Sequence, residues 1–396
     1  MYKLLTRFIA MTAFIVLNIP IEAKCQTREP LVLDQLLADT LAQLPAKEAS
    51  MDLISSKWLS SSPSISVAYL SGSDSLTADE TEVSVNLSIN SISQQGINHQ
   101  LKIVNQKILD NQFAQQKLYW SGIIRETLWE LRLSEIKQNF LKLKQTSLEK
   151  LLQNSQSLFE AGESSELNLL RIRKELNATQ IEQLEGQLQT NIWYQRYQNI
   201  TGRSELPKDI QEPEVNPDQS LLSNHPEIVA STLSQKQLNL RTKMENGNST
   251  PWQLSLTAKD TKLLGETDRQ VGVSFELPLN FIEINRQSVV NQWEQQNKAI
   301  ETSQVAMLFN IEAKQTKLLE QRRISNEKKQ LLEKAVELGD SIMMQLDQLK
   351  MYNEIGQELI LRQVLDVLET KYQLELTRTH IQQNNSMLRQ TAGLSL

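Results

Sequence analysis

Cysteine, histidine and aromatic residues are scarce in this sequence. Cys25 is the only cysteine among 396 residues, aromatic residues make up 5% of the chain, and histidine occurs only at positions 99, 225 and 380. One thiol excludes a disulfide framework, and the histidines lack the spacing and partners of a zinc site or a catalytic triad. A thick globular core normally contains more aromatic side chains. We therefore expect a helix-rich chain with narrow apolar seams, no catalytic residues, no metal and no cofactor.

Long apolar runs are also missing, except at the N-terminus. Lys3 and Arg7 precede the apolar residues 8–21, and "EAKCQ" follows them. This pattern predicts a signal peptide at 1–25, with Cys25 either removed or lipidated. No later stretch offers the about 20 apolar residues of a membrane-spanning helix, so any membrane contact must be made by strands or by a lipid. The net charge of −6 argues against nucleic acid as a partner.

Proline is absent from two long stretches, 64–206 and 279–396, which permits long helices in both. Between them, the segment 203–224 holds three closely spaced prolines and is predicted to be a linker. This linker separates a first half, 26–202, from a second half, 225–396. The prolines therefore divide the chain into two parts of similar size.

The two halves show the same order of patterns, which indicates a tandem repeat. Each half contains two stretches in which apolar and polar residues alternate, as in a strand with one apolar face. In each half the second stretch leads into a helix through a matching "VNQ". The predicted strands lie near 62–72 and 82–92 in the first half and near 251–260 and 269–280 in the second.

Each strand pair is followed by a long helix. Residues 97–160 and 286–349 contain one glycine each, and 60 residues of helix span ~90 Å. Apolar residues recur every three or four positions, which on periodicity alone favours a structural coiled coil. A coiled coil leaves the strand pairs unexplained. Four strands cannot close a membrane barrel, whereas three copies of the chain would supply twelve.

Both long helices are interrupted by a polar turn. The turn near 160–166 centres on Gly162, which suits the C′ position of a helix because glycine adopts positive φ readily. Ser164 or Ser165 would then cap the returning helix. A second turn near 350–358 is predicted to reverse the second half in the same way.

At this level of detail the sequence resembles the TolC-like outer membrane efflux proteins, over essentially the whole mature chain. The resemblance implies a mainly α fold with a small β part, in which a homotrimer forms one outer membrane β-barrel continued by a long α-helical barrel across the periplasm. The motifs that carry it are "EAGESSELNLL" (160–170), "HPEIVASTLSQKQL" (225–238), "FELPLNF" (275–281), "NEIGQELILRQVLDVLET" (353–370) and "TAGL" (391–394).

The same resemblance implies a function. Such proteins are passive exit ducts in the outer membrane of Gram-negative bacteria, and they catalyse no reaction. A periplasmic adaptor protein docks on them, and an inner membrane pump drives the cargo. Two departures affect this reading. "LPAKEA" (44–49) stands where the family has an "NPE" or "HPE" helix start, and the second turn holds about one extra helical turn.

The resemblance also assigns residues to two candidate sites. The two turns would form the periplasmic tip, which contacts the adaptor and gates the pore, and the strands would form the barrel against outer membrane lipid. The tip residues are Ala161, Gly162, Glu163, Ser164, Ser165, Glu354, Ile355, Gly356, Gln357 and Glu358. The barrel residues are Val83, Val85, Leu87, Val271, Val273, Phe275 and Leu277.

Several features of the sequence allow two interpretations. A methionine cluster, Met343, Met344 and Met351, fits either a copper or silver path or the filling of a helix seam. His225 before Pro226 fits a helix start better than a ligand. Five acidic residues at the turns fit either a cation-attracting ring or solvated helix ends: Glu160, Glu163, Glu166, Glu354 and Glu358. The alternative to a duct is a soluble periplasmic coiled-coil scaffold or adaptor-like protein.

Overall fold

The computed structural model describes residues 32–43, 58–74, 77–216, 222–246, 251–277, 287–350 and 357–396. The predicted signal peptide and "LPAKEA" lie outside these ranges. Within them, no helix combines the length and the apolar character that a membrane span requires. The described chain is mostly helical with one small antiparallel sheet, which confirms the coarse fold class predicted from the sequence.

Helices and strands alternate in two similar series. The first series consists of α1 (Leu33–Ala42), β1 (Ser64–Leu70), β2 (Asp79–Ile89), α2 (Ile92–Glu160) and α3 (Glu166–Thr201). The second consists of α4 (Pro226–Asn246), β3 (Trp252–Leu263), β4 (Glu266–Glu276), α5 (Gln287–Lys350) and α6 (Gln357–Thr391).

The four strands form one antiparallel sheet in the order β1, β2, β3, β4. The β3–β4 hairpin is closed by only two residues, Leu264 and Gly265, both at positive φ, so β3 continues to Leu263 instead of ending near 260. β2 ends at Ile89, and α2 begins at Ile92 because the Ser91 side chain accepts a hydrogen bond from the Gln94 N–H. The sequence analysis placed the start of this helix at residue 97, but α2 begins earlier, at Ile92.

The long helices pack side by side in a row. α2 contains 69 residues and is therefore about 100 Å long. Near the turns the order of packing is α3, α2, α6, α5, and nearer the sheet α4 lies between α2 and α5. The sheet and the helix layer thus place the first series at one edge of the molecule and the second series at the other.

The main core lies where α3 and α6 end beside the middle of α2. Leu36 and Leu37 of α1, Ile124 and Leu128 of α2 and Tyr197 of α3 form a buried cluster. Burial raises the pKa of Tyr197, whose hydroxyl donates a 2.6 Å hydrogen bond to the Glu205 carbonyl. The segment after α3 packs on this cluster through Leu206 and Ile210. This segment is therefore anchored to the core by Leu206 and Ile210, although proline-rich sequences of this kind are usually solvated.

A buried ion cluster adjoins this core. Arg125 is 1% exposed, and its Nε and Nη2 donate to the two carboxylate oxygens of Glu212 at 2.8 and 2.6 Å. Its Nη1 donates to Gln390 Oε1 at 2.5 Å and to the Leu394 carbonyl at 3.0 Å, while Arg389 Nε donates to Glu212 at 3.0 Å. The cluster therefore joins α2, the segment after α3 and the end of α6.

The start of α4 packs against the end of α6. His225 Nδ1 accepts a 3.3 Å hydrogen bond from the Glu227 N–H, which confirms the predicted structural role at a helix start. Gly393 lies beyond α6 at φ 79°, and a Cβ there would come within 3.1 Å of the His225 backbone. The "TAGL" glycine is thus required both by its φ and by this close approach.

Replacing Arg125 by methionine should destabilise the protein strongly. The substitution leaves the buried Glu212 carboxylate with Arg389 as its remaining ion-pair partner, and breaking such a pair costs about 3–5 kcal/mol. Arg132→Met is the matched control, because Arg132 is half exposed and pairs with Glu135 only at 3.5 Å. Thermal unfolding should show that the first variant loses a large part of the unfolding free energy, whereas the second loses less than about 0.5 kcal/mol. Equal losses would contradict this account of the cluster.

Stability should fall as the pH is lowered from 7.5 to 5.5. Burial lowers the pKa of His225 below 6.5, against a smaller opposing effect of Glu227. The unfolded chain therefore binds the proton more readily, so this stability is complete above the unfolded pKa and is lost as the pH falls towards the folded pKa. His225→Asn keeps a capping side chain and should flatten the dependence of melting temperature on pH. His99→Asn, at an exposed position of α2, should leave that dependence unchanged.

Candidate functional site

One face of the sheet is apolar and exposed to solvent. Val271 and Ile65, on the two outer strands, are 86% and 71% exposed. The strand register aligns the apolar side chains in rows that cross all four strands: Ile65, Val85, Leu256 and Val273, then Val67, Val83, Ala258 and Val271. Burial of apolar surface is favourable by about 25 cal/mol per Å². This face therefore requires an apolar environment.

The opposite face of the sheet carries hydroxyl and amide side chains. Ser84 Oγ and Thr257 Oγ1 lie 3.1 Å apart across β2 and β3, and Ser255 Oγ donates to Asn86 Oδ1 at 2.6 Å. The middle rows of this face contain no charged residue: Ser64, Asn86, Ser255 and Ser274, then Ser66, Ser84, Thr257 and Gly272. This is a neutral surface suited to contact with water.

Charges and aromatic rings lie at the ends of the strands. On the polar face, near the hairpin connections, Lys259 pairs with Glu80 at 2.7 Å, while Glu82 and Asp268 add two further carboxylates. The net charge of this end is negative. On the apolar face, Tyr69 lies near the same end, and Trp252 and Phe275 meet edge to face at the other end with ring centroids 6.0 Å apart. Aromatic rings thus flank the apolar rows.

The predicted barrel residues share the apolar face. Val83, Val85 and Leu87 alternate along β2, and Val271, Val273 and Phe275 do so along β4, while Leu277 follows the last strand. β1 and β4 are the outer strands, and each has one edge unpaired within the described chain. Contact of these residues with lipid stays a prediction at this point.

The first predicted turn has the expected backbone. α2 ends at Glu160 and Gly162 has φ 79°; the Gly162 N–H donates to the Phe159 carbonyl and the Glu163 N–H donates to the Leu158 carbonyl. These two bonds form a Schellman motif. Ser165 occupies the N-cap position of α3, but its side chain makes no capping hydrogen bond. The predicted side-chain cap by Ser165 is therefore wrong, and its carbonyl, not its hydroxyl, accepts a bond from Asn168.

The exposed surface of this turn is acidic and partly apolar. Ala161, Gly162, Glu160, Glu163 and Glu166 are exposed, as are three large apolar side chains, Phe159, Leu167 and Leu170. Arg171 of α3 forms a 2.6 Å ion pair with Glu358 at the start of α6. The first turns of α3 and α6 therefore lie at the same level.

Most of the second predicted turn lies outside the described residues, including Glu354, Ile355 and Gly356. Gln357 is the first residue of α6, and Glu358 follows it. Of the methionine cluster, Met344 is exposed and Met343 half-buried on α5, and Met351 is again outside the described ranges. No group of three or more histidine, cysteine, aspartate or glutamate residues in the described chain is arranged to hold a metal ion.

The buried ion cluster was not predicted from the sequence. Arg125 interrupts an apolar stretch, "GIIRETLWEL" (122–131), at a position on its buried side. That placement is the one available signal, because Lys and Arg are rarely buried without a partner. The partner, Glu212, lies 87 positions away among prolines, where neither helical nor strand periodicity points to it.

Comparison with known proteins identifies the fold. No protein-family model matches the sequence, and no curated protein matches it either. The structure is similar to the CmeC outer membrane channel of Campylobacter jejuni, with a TM-score of 0.60 and 15% identity over 84% of this chain and 76% of that one.

Two further solved structures give the same result. The outer membrane protein VceC of Vibrio cholerae has a TM-score of 0.65 and 11% identity over 84% of this chain and 86% of that one. The outer-membrane channel OprN has a TM-score of 0.66 and 14% identity over 91% of this chain and 89% of that one. The chain thus has the fold of these outer membrane proteins, as the resemblance to TolC-like proteins predicts.

Gly162→Ala should loosen the turn between α2 and α3. An added Cβ would meet nothing within 4 Å, so the cost is the positive φ alone, which is about 1–2 kcal/mol for a residue with a Cβ. Gly96→Ala is the control, because it is equally uncrowded but lies within α2, where alanine should stabilise the helix. Hydrogen exchange of the Gly162 and Glu163 amides should accelerate in the first variant only. Unchanged exchange would show that the Schellman bonds do not hold the turn.

Proposed function

We propose that three copies of this chain form a passive exit duct in the outer membrane of a Gram-negative bacterium. The two-faced sheet is the observation that carries this proposal. Its apolar rows require lipid or another apolar surface, and its hydroxyl, amide and acidic rows require water. The fold shared with outer membrane channels such as CmeC supports the same function.

The duct needs more than one copy. A strand edge cannot be left unpaired in lipid, because its backbone N–H and C=O groups would have no hydrogen-bond partners. β1 and β4 are the free edges, and they run antiparallel to each other when β4 of one copy meets β1 of the next. Three copies then give a closed barrel of twelve strands. Val271 and Ile65 face the lipid, Ser84 and Thr257 face the water, and Tyr69 and Trp252 mark the two membrane surfaces.

The helices continue the duct into the periplasm. With α2 about 100 Å long, the turn around Gly162 lies far from the sheet, at the inner end of the molecule. We propose that this turn and its counterpart between α5 and α6 contact a periplasmic adaptor protein and gate the pore, while an inner membrane pump supplies the driving force. The residues concerned are Ala161, Gly162, Glu163, Ser164, Ser165, Glu354, Ile355, Gly356, Gln357 and Glu358.

The duct catalyses no reaction in this proposal, and cargo passes through its water-filled interior. A soluble coiled-coil scaffold explains the helices equally well but not the sheet. It would expose Val271, Ile65 and their rows to water, and a contiguous apolar face across four strands is unusual in a monomeric soluble protein. The sheet therefore favours the duct.

Conductance in planar lipid bilayers tests this function. The purified chain should insert as a trimer and form pores that prefer potassium over chloride, because carboxylates outnumber Lys259 at one end of the polar face. Glu82→Gln should lower that preference, measured as the reversal potential in a salt gradient. Asp260→Asn is the control, because Asp260 lies on the apolar face and pairs with Arg269 there. Recovery of the chain in the soluble periplasmic fraction without detergent would contradict the proposal.

A further inference from the structure

The apolar face of the sheet has a height that the strand register fixes. Directly opposed residues on neighbouring strands share one face, so they align in rows across the sheet. Four successive rows of this face are apolar. Starting from the end next to α2, they are Leu59, Ile89 and Trp252; Leu87, Leu254 and Phe275; Ile65, Val85, Leu256 and Val273; and Val67, Val83, Ala258 and Val271. The face is therefore a band with two definite ends.

Charged side chains end this band near the hairpin connections. The fifth row of the same face consists of Tyr69, Thr81, Asp260 and Arg269, and the sixth consists of Asp79, Lys262 and Thr267. Arg269 Nε donates a 3.3 Å hydrogen bond to Asp260 Oδ1, and the Arg269 side chain is 85% exposed. Leu264 is apolar, but it lies beyond Lys262 in the turn of the hairpin. The apolar band is thus followed by a polar rim.

The other end of the band lies where the strands meet the helices. Trp252 and Phe275 place their rings there, and α2 follows β2 with Ser91 as its cap. Trp58 and Ile92 are 51% and 77% exposed just beyond this end. They are single side chains, and the register gives them no partners on β3. The rings of Trp252 and Phe275 therefore mark this end of the band.

The band is short for a membrane barrel. Asp260, in the first charged row, lies farther along β3 than Trp252 by about 27 Å of extended strand. Strands in such barrels tilt by about 35–45°, which reduces this height to ~20 Å, whereas the usual apolar band is about 25 Å tall. Each row of side chains adds ~5 Å of height at that tilt. The sheet therefore lacks about one apolar row.

A bilayer of ordinary thickness would cover the fifth row with hydrocarbon. Within the described residues, the Arg269 guanidinium makes its hydrogen bond to Asp260, and its remaining N–H groups depend on water or on lipid headgroups. Arg269 is long enough to extend towards the headgroups, but Asp260 and Thr81 are not. A larger tilt of the strands would shorten the band further. Thinning of the bilayer, in contrast, brings the headgroups down to this row at a modest cost.

We infer that the sheet fits a thin region of membrane, in which the hydrocarbon layer is only about 20 Å thick. Tyr69 and Arg269 lie at the level of one set of headgroups, and Trp252 lies at the other. This inference rests on the proposed barrel, and the partner it names is a phospholipid bilayer with short acyl chains. Lipids with longer chains have to thin around the duct, which raises the free energy of the inserted state.

A series of lipids tests the height of the band. Purified trimers are reconstituted in vesicles of dilauroyl, dimyristoleoyl, dipalmitoleoyl and dioleoyl phosphatidylcholine, whose acyl chains increase in length in that order. The temperature at which the trimers dissociate is measured in each lipid. The natural chain should be most stable in the dilauroyl lipid and less stable in each longer one, because the mismatch increases with chain length.

A pair of double variants distinguishes the apolar face from the polar one. Asp260→Leu with Arg269→Leu makes the fifth row apolar, so the highest stability should move to a lipid with longer chains. Thr261→Leu with Asp268→Leu is the matched control, because Thr261 and Asp268 form the neighbouring pair of the register and lie on the polar face. The control adds two leucines at nearly the same height and should leave the preferred lipid unchanged.

The outcomes separate the inference from the function. Pores and trimers whose natural chain is most stable in the dioleoyl lipid would overturn the thin membrane and leave the duct intact. Equal shifts of the preferred lipid in the two double variants would also overturn it. A chain that neither inserts nor forms pores in any of the four lipids would overturn both proposals.

Cysteine labelling locates the edge of the hydrocarbon directly. Thr81→Cys and Val83→Cys lie one row apart on the same face of β2, and Cys25, the only other cysteine, lies in the predicted signal segment. A membrane-impermeant maleimide on both sides of dioleoyl vesicles should label Thr81→Cys and spare Val83→Cys. Ser66→Cys, on the polar face, should be labelled through the duct. Protection of Thr81→Cys as complete as that of Val83→Cys would contradict the inferred thinning.

Discussion

The buried guanidinium group of Arg125 is the point on which the two halves of the chain depend. It lies near the level at which α3 and α6 end and α4 begins to pack against α2. A charge at this depth is tolerated only with its hydrogen bonds satisfied. Glu212, Gln390 and the Leu394 carbonyl meet that requirement, and they come from the segment after α3 and from the end of α6, both of which also pack against α2 or the core beside it.

This requirement also explains the path of the chain between the halves. A proline-rich connection of this length normally runs over the surface. Here Leu206 and Ile210 add apolar contacts to the core, and the Tyr197 hydroxyl bonds the Glu205 carbonyl. The connection therefore acts as a strap that fixes α3 and α6 against α2. In this arrangement the first series of elements lies at the same edge in the sheet and in the row of helices.

Much of this architecture could be predicted from the sequence because it follows from local rules. Alternation located all four strands, and Gly162 located the turn because only glycine adopts its φ without strain. Boundaries were less accurate, because β2 ends and α2 begins around Ser91, where one side-chain cap fixes the helix start. Ser164 or Ser165 was predicted to cap α3, and Ser165 occupies the N-cap position without a side-chain hydrogen bond. The Arg125–Glu212 pair could not be predicted, since no local pattern relates two residues that meet only through tertiary packing. The assembly of copies likewise depends on which surfaces of two copies come together, and the sequence of one chain does not show that.

The contacts of Arg125 with Gln390 and Leu394 span 265 and 269 positions of the chain. Closing loops of that size is slow, and proteins dominated by such contacts fold slowly. Arg389 and Gln390 lie in the last turn of α6 and Leu394 follows it, so the guanidinium group has all its partners only when this end of α6 has packed against α2. The core around Ile124 and Tyr197 is therefore complete only when both halves of the chain have come together. Until the halves meet, the apolar side chains of the core are open to water, which favours association with any other exposed apolar surface.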